Sequence, residues 1–532
     1  MVSITYATRR RQKRAFAGLA GLALGVMLVG SAIPAAAADA SPSQPAAAGA
    51  CPTTGGTLRV AVNADSSGFL YGNDNPSLWP RSLVFLSLTR LSPDGKSVEG
   101  DAADSWEASS DYKTFTFHLR DGLKFSDGSP VTAADVVATF QSYQGNKTYA
   151  ATWPDGMTIS APDDSTVVFT TAQPTALFAE RWIAEQAIFP AGSDLDTMND
   201  QPLSGGPFIL DSWQKGQLMS FKRNPNYWNP PYPCLDGVDL TVVADQNTQA
   251  LQLQAGQVDF AQNLPANQVE AIKNGSGTTV ATFPTWADTM IRLNEKDHPE
   301  FQDINVRQAM NYAIDKQAII TRIFHGEGRI AASDTPVAAW AGLEVYPYDP
   351  DRARALLAEA GYPKGFAITL KSFSTTPGAE LPIVAQAVAL YWRAVGIDVH
   401  TELIDWTSLR TAWTSGAARS YVWTHRGFPF TSAQNGLEAG FDAKSLFASY
   451  STPELQTMLD AHANELDPAK RLDKLTAIGA YLRDQASNVF IAHVNEPYAI
   501  SPKVGMWVIT GSNALNFENI RRPASETDRT TP

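Results

Sequence analysis

The chain predicts an α/β fold of more than one domain, and three observations carry that expectation. The first is length: 532 residues exceed what a single hydrophobic core organises. The second is a strand–turn–strand–helix signature between Ala102 and Phe140. The third is the alternation of strand-like and helix-like runs along almost the whole chain, without an internal repeat.

Taken in order, Thr57 to Val62 reads as a strand and Asn63 to Tyr71 as a polar loop after it. Leu83 to Leu91 reads as a helix, closed by the turn Ser92-Pro93-Asp94-Gly95. In Thr114 to Leu119 the apolar Phe115, Phe117 and Leu119 alternate with polar residues, the period of a half-buried strand. Turn residues follow at Arg120–Gly122 and Asp127–Gly128, and then a helix start. Thr132 is a good N-cap, and Asp135 three residues on can close a variant capping box ahead of Val136, Val137 and Phe140. Gly205 to Leu210 opens a hairpin, and Val238 to Val243 is a strand. Gly256 is a good C-cap for the helix that includes Ala250. Thr279–Phe283 and Thr289–Leu293 read as strands flanking Trp286, and Asn305 to Lys316 as a helix. Ala367–Leu370 is a strand, Val384–Val395 a helix, and Thr452–Leu459 and Asp467–Leu482 amphipathic helices.

The formal charge is −13, and the N-terminal stretch hides a more acidic remainder. Arg9, Arg10, Arg11, Lys13 and Arg14 form a basic region, Ala15 to Ile33 an apolar core, and Ala36-Ala37-Ala38 a small-residue cleavage site. Residues 1–38 are therefore expected to be a signal peptide, with 39–50 a disordered Ala/Pro/Ser-rich leader. An exported chain this acidic is a poor candidate for binding nucleic acid or an anionic membrane surface. No other segment has the roughly 18 apolar residues that span a bilayer. The two cysteines, Cys51 and Cys234, leave two readings open from the residues alone. A lipid anchor at Cys51 is disfavoured because its apolar core ends near Ile33, and a disulfide suits an oxidising compartment.

The order SWE…TFTFHLRDGLKFSDGSPVTAADVV closely resembles the hallmark of family 5 extracellular solute-binding proteins, the peptide- and nickel-type receptors of ATP-binding cassette importers. Further blocks resemble the same family in register. They are GPFIL at Gly206, KRNPNYW at Lys222, VRQAMNYAIDKQ at Val306 and DPDRARALLAEAGYPKG at Asp349. The likeness runs from about Gly55 to Pro523.

That resemblance implies a two-lobe periplasmic-binding-protein-like fold (large, type II, cluster C-like) with mixed sheets and a two-strand hinge. Lobe one would comprise 51–283 with an extra subdomain, lobe two 284–490, and 491–532 would return to lobe one as a tail. The crossings are expected near Phe283–Thr289 and Asn488–Tyr498. In the resembled fold the strands after Cys51 and Cys234 are parallel neighbours at similar offsets, so the resemblance implies a Cys51–Cys234 bond. It also implies a monomer with no cofactor and no metal site. Such a chain would capture a peptide, opine-like molecule, saccharide or metal chelate and present it to a membrane permease of the importer.

The residues offer little to catalysis. There is no Gly-x-Ser-x-Gly, no His-Glu-x-x-His and no phosphate-cradling glycine loop, and the seven histidines are scattered. A secreted hydrolase acting on saccharides or peptides is the alternative, and it would need an acid pair brought together by the fold. For binding, Trp423 matches the family's pocket-lining Gly-Trp segment, and Trp286 sits where lobe two would face the ligand. Peptide receptors often carry an aspartate three residues after that tryptophan, to pair with the peptide's amino terminus. Here the run Trp423-Thr424-His425-Arg426-Gly427-Phe428 places Arg426 there, which favours an anionic group over an ammonium. Ser66, Ser67, Phe69 and Tyr71 form the expected opposite wall. The candidate ligand-binding residues are thus Trp423, Arg426, Thr424, His425, Trp286, Ser66, Ser67, Phe69, Tyr71 and Phe428.

Overall fold

A computed structural model describes residues 51, 53–70, 75–92, 98–145, 153–154, 156–184, 186–203, 205–262, 264, 266–273, 278–295, 297–335, 342–373, 380–405, 408–409, 411–412, 415–426, 433–446, 448–505 and 517–521. The expected signal peptide and leader lie outside these residues.

The segment 102–140 folds as its pattern dictates. Thr114–Leu119 is a strand whose Phe115, Phe117 and Leu119 are buried while Thr114, Thr116 and His118 are not. It is flanked by Ala103–Ala108 and Thr166–Thr170, with Thr158–Asp163 completing a four-stranded antiparallel sheet. The helix Ala133–Gly145 covers it, and the Asp135 carboxylate accepts from both the backbone N–H and the hydroxyl of Thr132, each at 2.8 Å. That is the reach-back half of a capping box.

Leu83–Leu91 departs from expectation. The helix there is Asn75–Val84, and the chain then extends into the strand Thr89–Leu91, paired with Val98–Gly100. Leu83, Val84, Phe85, Leu86, Leu88 and Leu91 are all buried. A short apolar run buried on every side loses the periodicity that separates helix from strand.

One large mixed sheet of eleven strands runs through the protein. Its order is Asp398–Ile404, Ala367–Phe373, Val422–Arg426, Thr279–Leu293, Val489–Ile500, Phe260–Ala261, Thr57–Val62, Gly237–Val242, Leu218–Arg223 and Phe208–Gln214, with Arg329–Ile330 added beside Val489–Ile500. The two strands expected around Trp286 are a single strand, Thr279–Leu293. Its antiparallel partner is Val489–Ile500; pairing runs from Thr279↔Ile500 to Pro284↔Asn495, breaks, and resumes at Asp288↔His493.

The cores change over at that break. Val489, Ile491, Ala492 and Val494 join the core that contains Ile291, Leu293, Met310 and Trp392. Tyr498 and Ile500, only a few residues on, join the core of Val60, Phe117, Phe208 and Leu240. Two antiparallel strands thus carry the chain between two separately packed cores. The second core is capped by the helix Leu381–Ala394, whose Val384, Ala385, Val388, Ala389 and Trp392 are buried. The Trp392 indole donates to the Met310 carbonyl at 3.0 Å, satisfying its one polar atom inside the core.

Cys51 and Cys234 are bonded, with their Cα atoms 5.4 Å apart. The bond lies at the amino ends of the parallel strands Thr57–Val62 and Gly237–Val242, whose register starts at Thr57↔Gly237. A thiol in a disulfide is not available for lipid attachment.

Candidate functional site

Strand direction points to the candidate site. Thr57–Val62 and Gly237–Val242 run parallel to Phe260–Ala261, which is antiparallel to Val489–Ile500 in the register Phe260↔Ile500, Ala261↔Ala499. Their carboxyl ends therefore face the break between the cores. On the other side, Val422–Arg426 pairs antiparallel with Thr279–Leu293 from Val422↔Leu293 to Arg426↔Thr289, so it also runs toward the break. Ala367–Phe373 runs parallel to Val422–Arg426 and to Asp398–Ile404. Both halves thus present the carboxyl ends of parallel strands to the crossing. In open α/β sheets that is where ligands bind.

All five residues of Val422–Arg426 are buried, and their alternation divides them between two faces. Thr424 and Arg426 share one face. There the Thr424 and Ser372 hydroxyls are 2.8 Å apart, and Arg426 forms an ion pair with Glu380 at the start of Leu381–Ala394. Trp423 and His425 share the other face, with ring centroids 4.9 Å apart. Trp423 also packs on Phe373, centroids 5.9 Å apart, in a cluster with Leu381, Leu409 and Ala418.

The cross-strand neighbour of Trp423 is Arg292, whose guanidinium carbon lies 5.8 Å from the indole centroid. Burial pushes this arginine down to about 10 against the pull of Asp334. Burial, reinforced by Arg292, holds His425 well below its usual range, so this imidazole is neutral at pH 7. Asp334 accepts from Asn488 Nδ2 at 2.6 Å, and burial raises its carboxyl to about 7. At the crossing itself, Asp288 Oδ1 and His493 Nδ1 are 2.7 Å apart and both residues are buried.

Opposite, at the end of Thr57–Val62, the loop is tightly built. Ser66 Oγ donates to the Gly68 carbonyl at 2.6 Å and accepts from its N–H. Asp65 accepts from the Trp213 indole and from Gly216 N–H, the latter at 2.6 Å. Phe69 is fully buried, edge-on to Trp213 and Phe221, while Ser67 is exposed. Tyr71, Phe428 and the side chain of Trp286 lie outside the described residues. Gly68 has φ +144°, and a Cβ there would come within 2.1 Å of the Asn199 amide. Asn199 in turn anchors Leu70 N–H through its Oδ1 and Phe69 N–H through its carbonyl. Gly68→Ala should therefore cost about 1–3 kcal/mol of stability in a denaturant melt. A melt unchanged within error would show that the loop relaxes freely.

The structure adds residues that the sequence reading missed. Arg292, Asp334, Asp288 and His493 belong to three different strands or loops, and only strand pairing brings them together. Asn63 and Gln249 are buried at the end of Thr57–Val62, and Gln249 Nε2 donates to Asn63 Oδ1 and to the Val243 carbonyl. Among the described residues, Asn63 Nδ2 and Gln249 Oε1 have no hydrogen-bond partner. Also among them, no group of three or more His, Cys, Asp or Glu could hold a metal ion, and no helix is long and apolar enough to cross a membrane. A surface hollow of about 420 Å³ beside Trp213 is lined by Asp200, Leu210, Asp211 and Lys215. Its residues all come from one side of the crossing, and Lys215 is already paired with Asp200 at 3.1 Å.

Two buried histidines set an expected pH dependence. Burial lowers His462 to about 4 and depresses His425 in the same direction. Their folded values lie below the unfolded value, so the unfolded chain binds protons first. Their contribution to stability is present above about pH 6.5 and is lost as pH falls toward 4. Asp334, raised to about 7, acts in the opposite sense over the same window, so the check is the difference between variants: His462→Leu should lose less stability than wild type between pH 6.5 and 4. Equal pH slopes for the two proteins would contradict this.

Comparison with known proteins agrees with this architecture. The family model for bacterial extracellular solute-binding proteins, family 5 Middle, matches residues 97–446. The glutathione-binding protein GsiB of Escherichia coli K12 is 31% identical over 363 residues, covering 66% of this chain and 69% of the relative. GsiB of Salmonella typhimurium is 29% identical over 405 residues, covering 74% and 77%. Among solved structures, the periplasmic binding protein AgaA of A. tumefaciens R10, in complex with agropinic acid, superposes with a TM-score of 0.76 at 25% identity, covering 88% of this chain and 99% of AgaA. DppA of Helicobacter pylori, in complex with the peptide STSA, gives 0.78 at 22% identity over 88% and 98%. These similarities, together with two cores joined by paired crossing strands, establish that the chain belongs to the family 5 bacterial extracellular solute-binding proteins.

Proposed function

We propose that this protein is the exported receptor of an ATP-binding cassette importer, capturing a small solute between its two lobes and delivering it to the membrane permease. The observation that carries this reading is the crossing. Two antiparallel strands are the described β connection between two independent cores, and the carboxyl ends of parallel strands from both sides converge on it. Bending at the Pro284/Asp288 irregularity would move one core against the other. A solute touching both sides then shifts the open–closed equilibrium by its differential affinity for the closed form. The mechanism is capture and presentation rather than bond-making.

The lobes are assigned to 51–283 and 284–490, with the chain returning to the first lobe from 491 onward. Residues 1–38 are assigned to a cleaved signal peptide, and the protein acts as a monomer outside the cytoplasm. The Cys51–Cys234 bond supports an oxidising compartment. GsiB is named for glutathione binding, and AgaA and DppA are in complex with agropinic acid and the peptide STSA; this chain is assigned a peptide-like cargo or an anionic or conjugated small molecule.

Trp423 and His425 are the second-lobe residues offered to the solute. Thr424 and Arg426, on the opposite face, hold their strand against Ser372 and Glu380. On the first lobe, Ser66, Ser67 and Tyr71 are assigned to the near wall and Phe69 supports them from the core; on the second lobe, Trp286 and Phe428 complete the set.

The test is a panel of glutathione, di- to tetrapeptides, opine-type conjugates, saccharides and metal chelates, read by melting temperature. A true ligand at 100 times its dissociation constant should add about 2.7 kcal/mol of stability. If nothing in the panel shifts the melt, and native mass spectrometry of the purified protein shows no retained small molecule, the receptor reading fails.

A further inference from the structure

Two neighbouring parallel strands, Thr57–Val62 and Gly237–Val242, end beside two side-chain amides that are only half satisfied. Asn63 is the residue after the first strand. Gln249 belongs to the helix Gln246–Gln254, which follows the second. Alternation puts Asn63 on the face of Ala61, and Ala61 packs with Ala250 and Leu253 of that helix. The two amides therefore meet beside a small apolar core, with Asn63 7% exposed and Gln249 0%.

The hydrogen bonds they make fix which way each amide points. A carbonyl oxygen only accepts, so the end of Gln249 that lies 2.7 Å from the Val243 carbonyl is the nitrogen. That nitrogen also donates to Asn63, so the Asn63 atom facing it is the oxygen. One donor, Asn63 Nδ2, and one acceptor, Gln249 Oε1, are left over. Both are buried, and among the described residues neither atom has a hydrogen-bond partner. A buried polar atom left unmet loses its hydration with nothing in return, so nearly all such atoms in folded proteins are paired. Here two stay open on touching side chains, at the strand ends where open α/β sheets bind ligands.

We propose that Asn63 and Gln249 read the backbone of a peptide solute: Asn63 Nδ2 donates to a carbonyl oxygen and Gln249 Oε1 accepts from an N–H. An extended peptide suits both atoms, because each residue presents its N–H and C=O toward the same edge, as it does across an antiparallel ladder. A carboxylate offers acceptors alone and an ammonium donors alone, so either would leave one of the two atoms unmet. A saccharide hydroxyl donates and accepts through a single oxygen, and it is the competitor that the experiment separates. The proposal rests on the receptor reading above and deepens it by naming the solute's polar group and the pair that selects it.

The experiment takes wild-type protein and the di- to tetrapeptide that binds it most tightly, with each backbone N–H replaced in turn by an ester oxygen. Affinity is read by titration calorimetry. The ester keeps the shape and the carbonyl but has no proton to give Gln249, so at one position affinity should fall at least about tenfold. In Gln249→Met the acceptor is gone, and amide and ester at that position should bind alike. Gln249→Met also drops the bond to Val243 and could fail to fold. Asn63→Asp avoids that outcome, because its Oδ1 still accepts from Gln249 while an oxygen replaces the Nδ2 donor. At about pH 8, where the new carboxylate is ionised, it should lose at least about tenfold in peptide affinity.

If peptides bind and no ester position matters, or if a folded Gln249→Met keeps the same loss, the backbone reader is overturned while the receptor reading stands. Unchanged peptide affinity in Asn63→Asp overturns it too, because the two amides are then only an internal pair. So does a protein that binds saccharides or other members of the panel but no peptide. If wild-type protein binds nothing, the receptor reading and the backbone reader fall together.

Discussion

Replacing Cys51 and Cys234 together by serine should lower the protein's stability by about 2–5 kcal/mol while leaving solute affinity nearly unchanged. The size follows from the span of the cross-link. The cysteines are 183 residues apart, so the bond closes a very long loop and restricts the unfolded chain strongly. The bond is also well placed in the folded state. Cys234 is fully buried, and beside it Gly55 N–H donates to the Cys234 carbonyl at 2.9 Å and Gly56 N–H to Asp236 at 2.8 Å. The expected selectivity has a positional reason. The bond lies at the amino ends of Thr57–Val62 and Gly237–Val242, while the candidate site lies at their carboxyl ends. Denaturant melts of wild type and of the double serine variant give the stability difference, and calorimetry with any solute identified gives the affinity. A difference below about 0.5 kcal/mol would mean that the cross-link does not restrict the unfolded chain as its length requires. A large loss of affinity would mean that the two ends of the strands are coupled.

Trp423→Ala should do two separable things. The indole is 2% exposed and packs on Phe373, Leu381, Leu409 and Ala418, so its removal should cost about 3–5 kcal/mol through lost contacts and the cavity left behind. It also removes the aromatic face beside Arg292 and His425, so solute affinity should fall at temperatures where the variant is still folded. Trp423→Phe separates the effects, because it keeps an aromatic ring in the cluster and should recover most of the stability. Should Trp423→Ala melt within about 1 kcal/mol of wild type, the ring is not part of a packed core. Should it lose stability but bind solute normally, Trp423 serves packing alone.

Different parts of this protein were legible in the sequence to different degrees, for physical reasons. The strand Thr114–Leu119 and the helix after Thr132 could be read residue by residue, because alternation and capping are local. The disulfide was implied by the resemblance, since pairing two strands nearly two hundred residues apart needs a known topology. Leu83–Leu91 was misread as a helix because an apolar run buried on all sides carries no period. Trp286 seemed to separate two strands, whereas the chain keeps one strand through an irregularity in its pairing.

At the candidate site the limit was the β-strand itself. Trp423, Thr424, His425 and Arg426 look like one group in sequence, but a two-residue period sends Thr424 and Arg426 to one face and Trp423 and His425 to the other. Which face meets Glu380 and which meets Arg292 depends on the register Arg292↔Trp423, a pairing between positions more than a hundred residues apart.

The sequence by itself determined the family, the α/β class and the local elements, because these rest on short-range patterns and on motifs kept in order. The tertiary structure alone decided where the cores change over and that Arg292, rather than Arg426, stands beside Trp423. It also decided that Asp288 and His493 meet at the crossing. Those are consequences of strand register and burial, which arise only when distant segments pair and exclude water together.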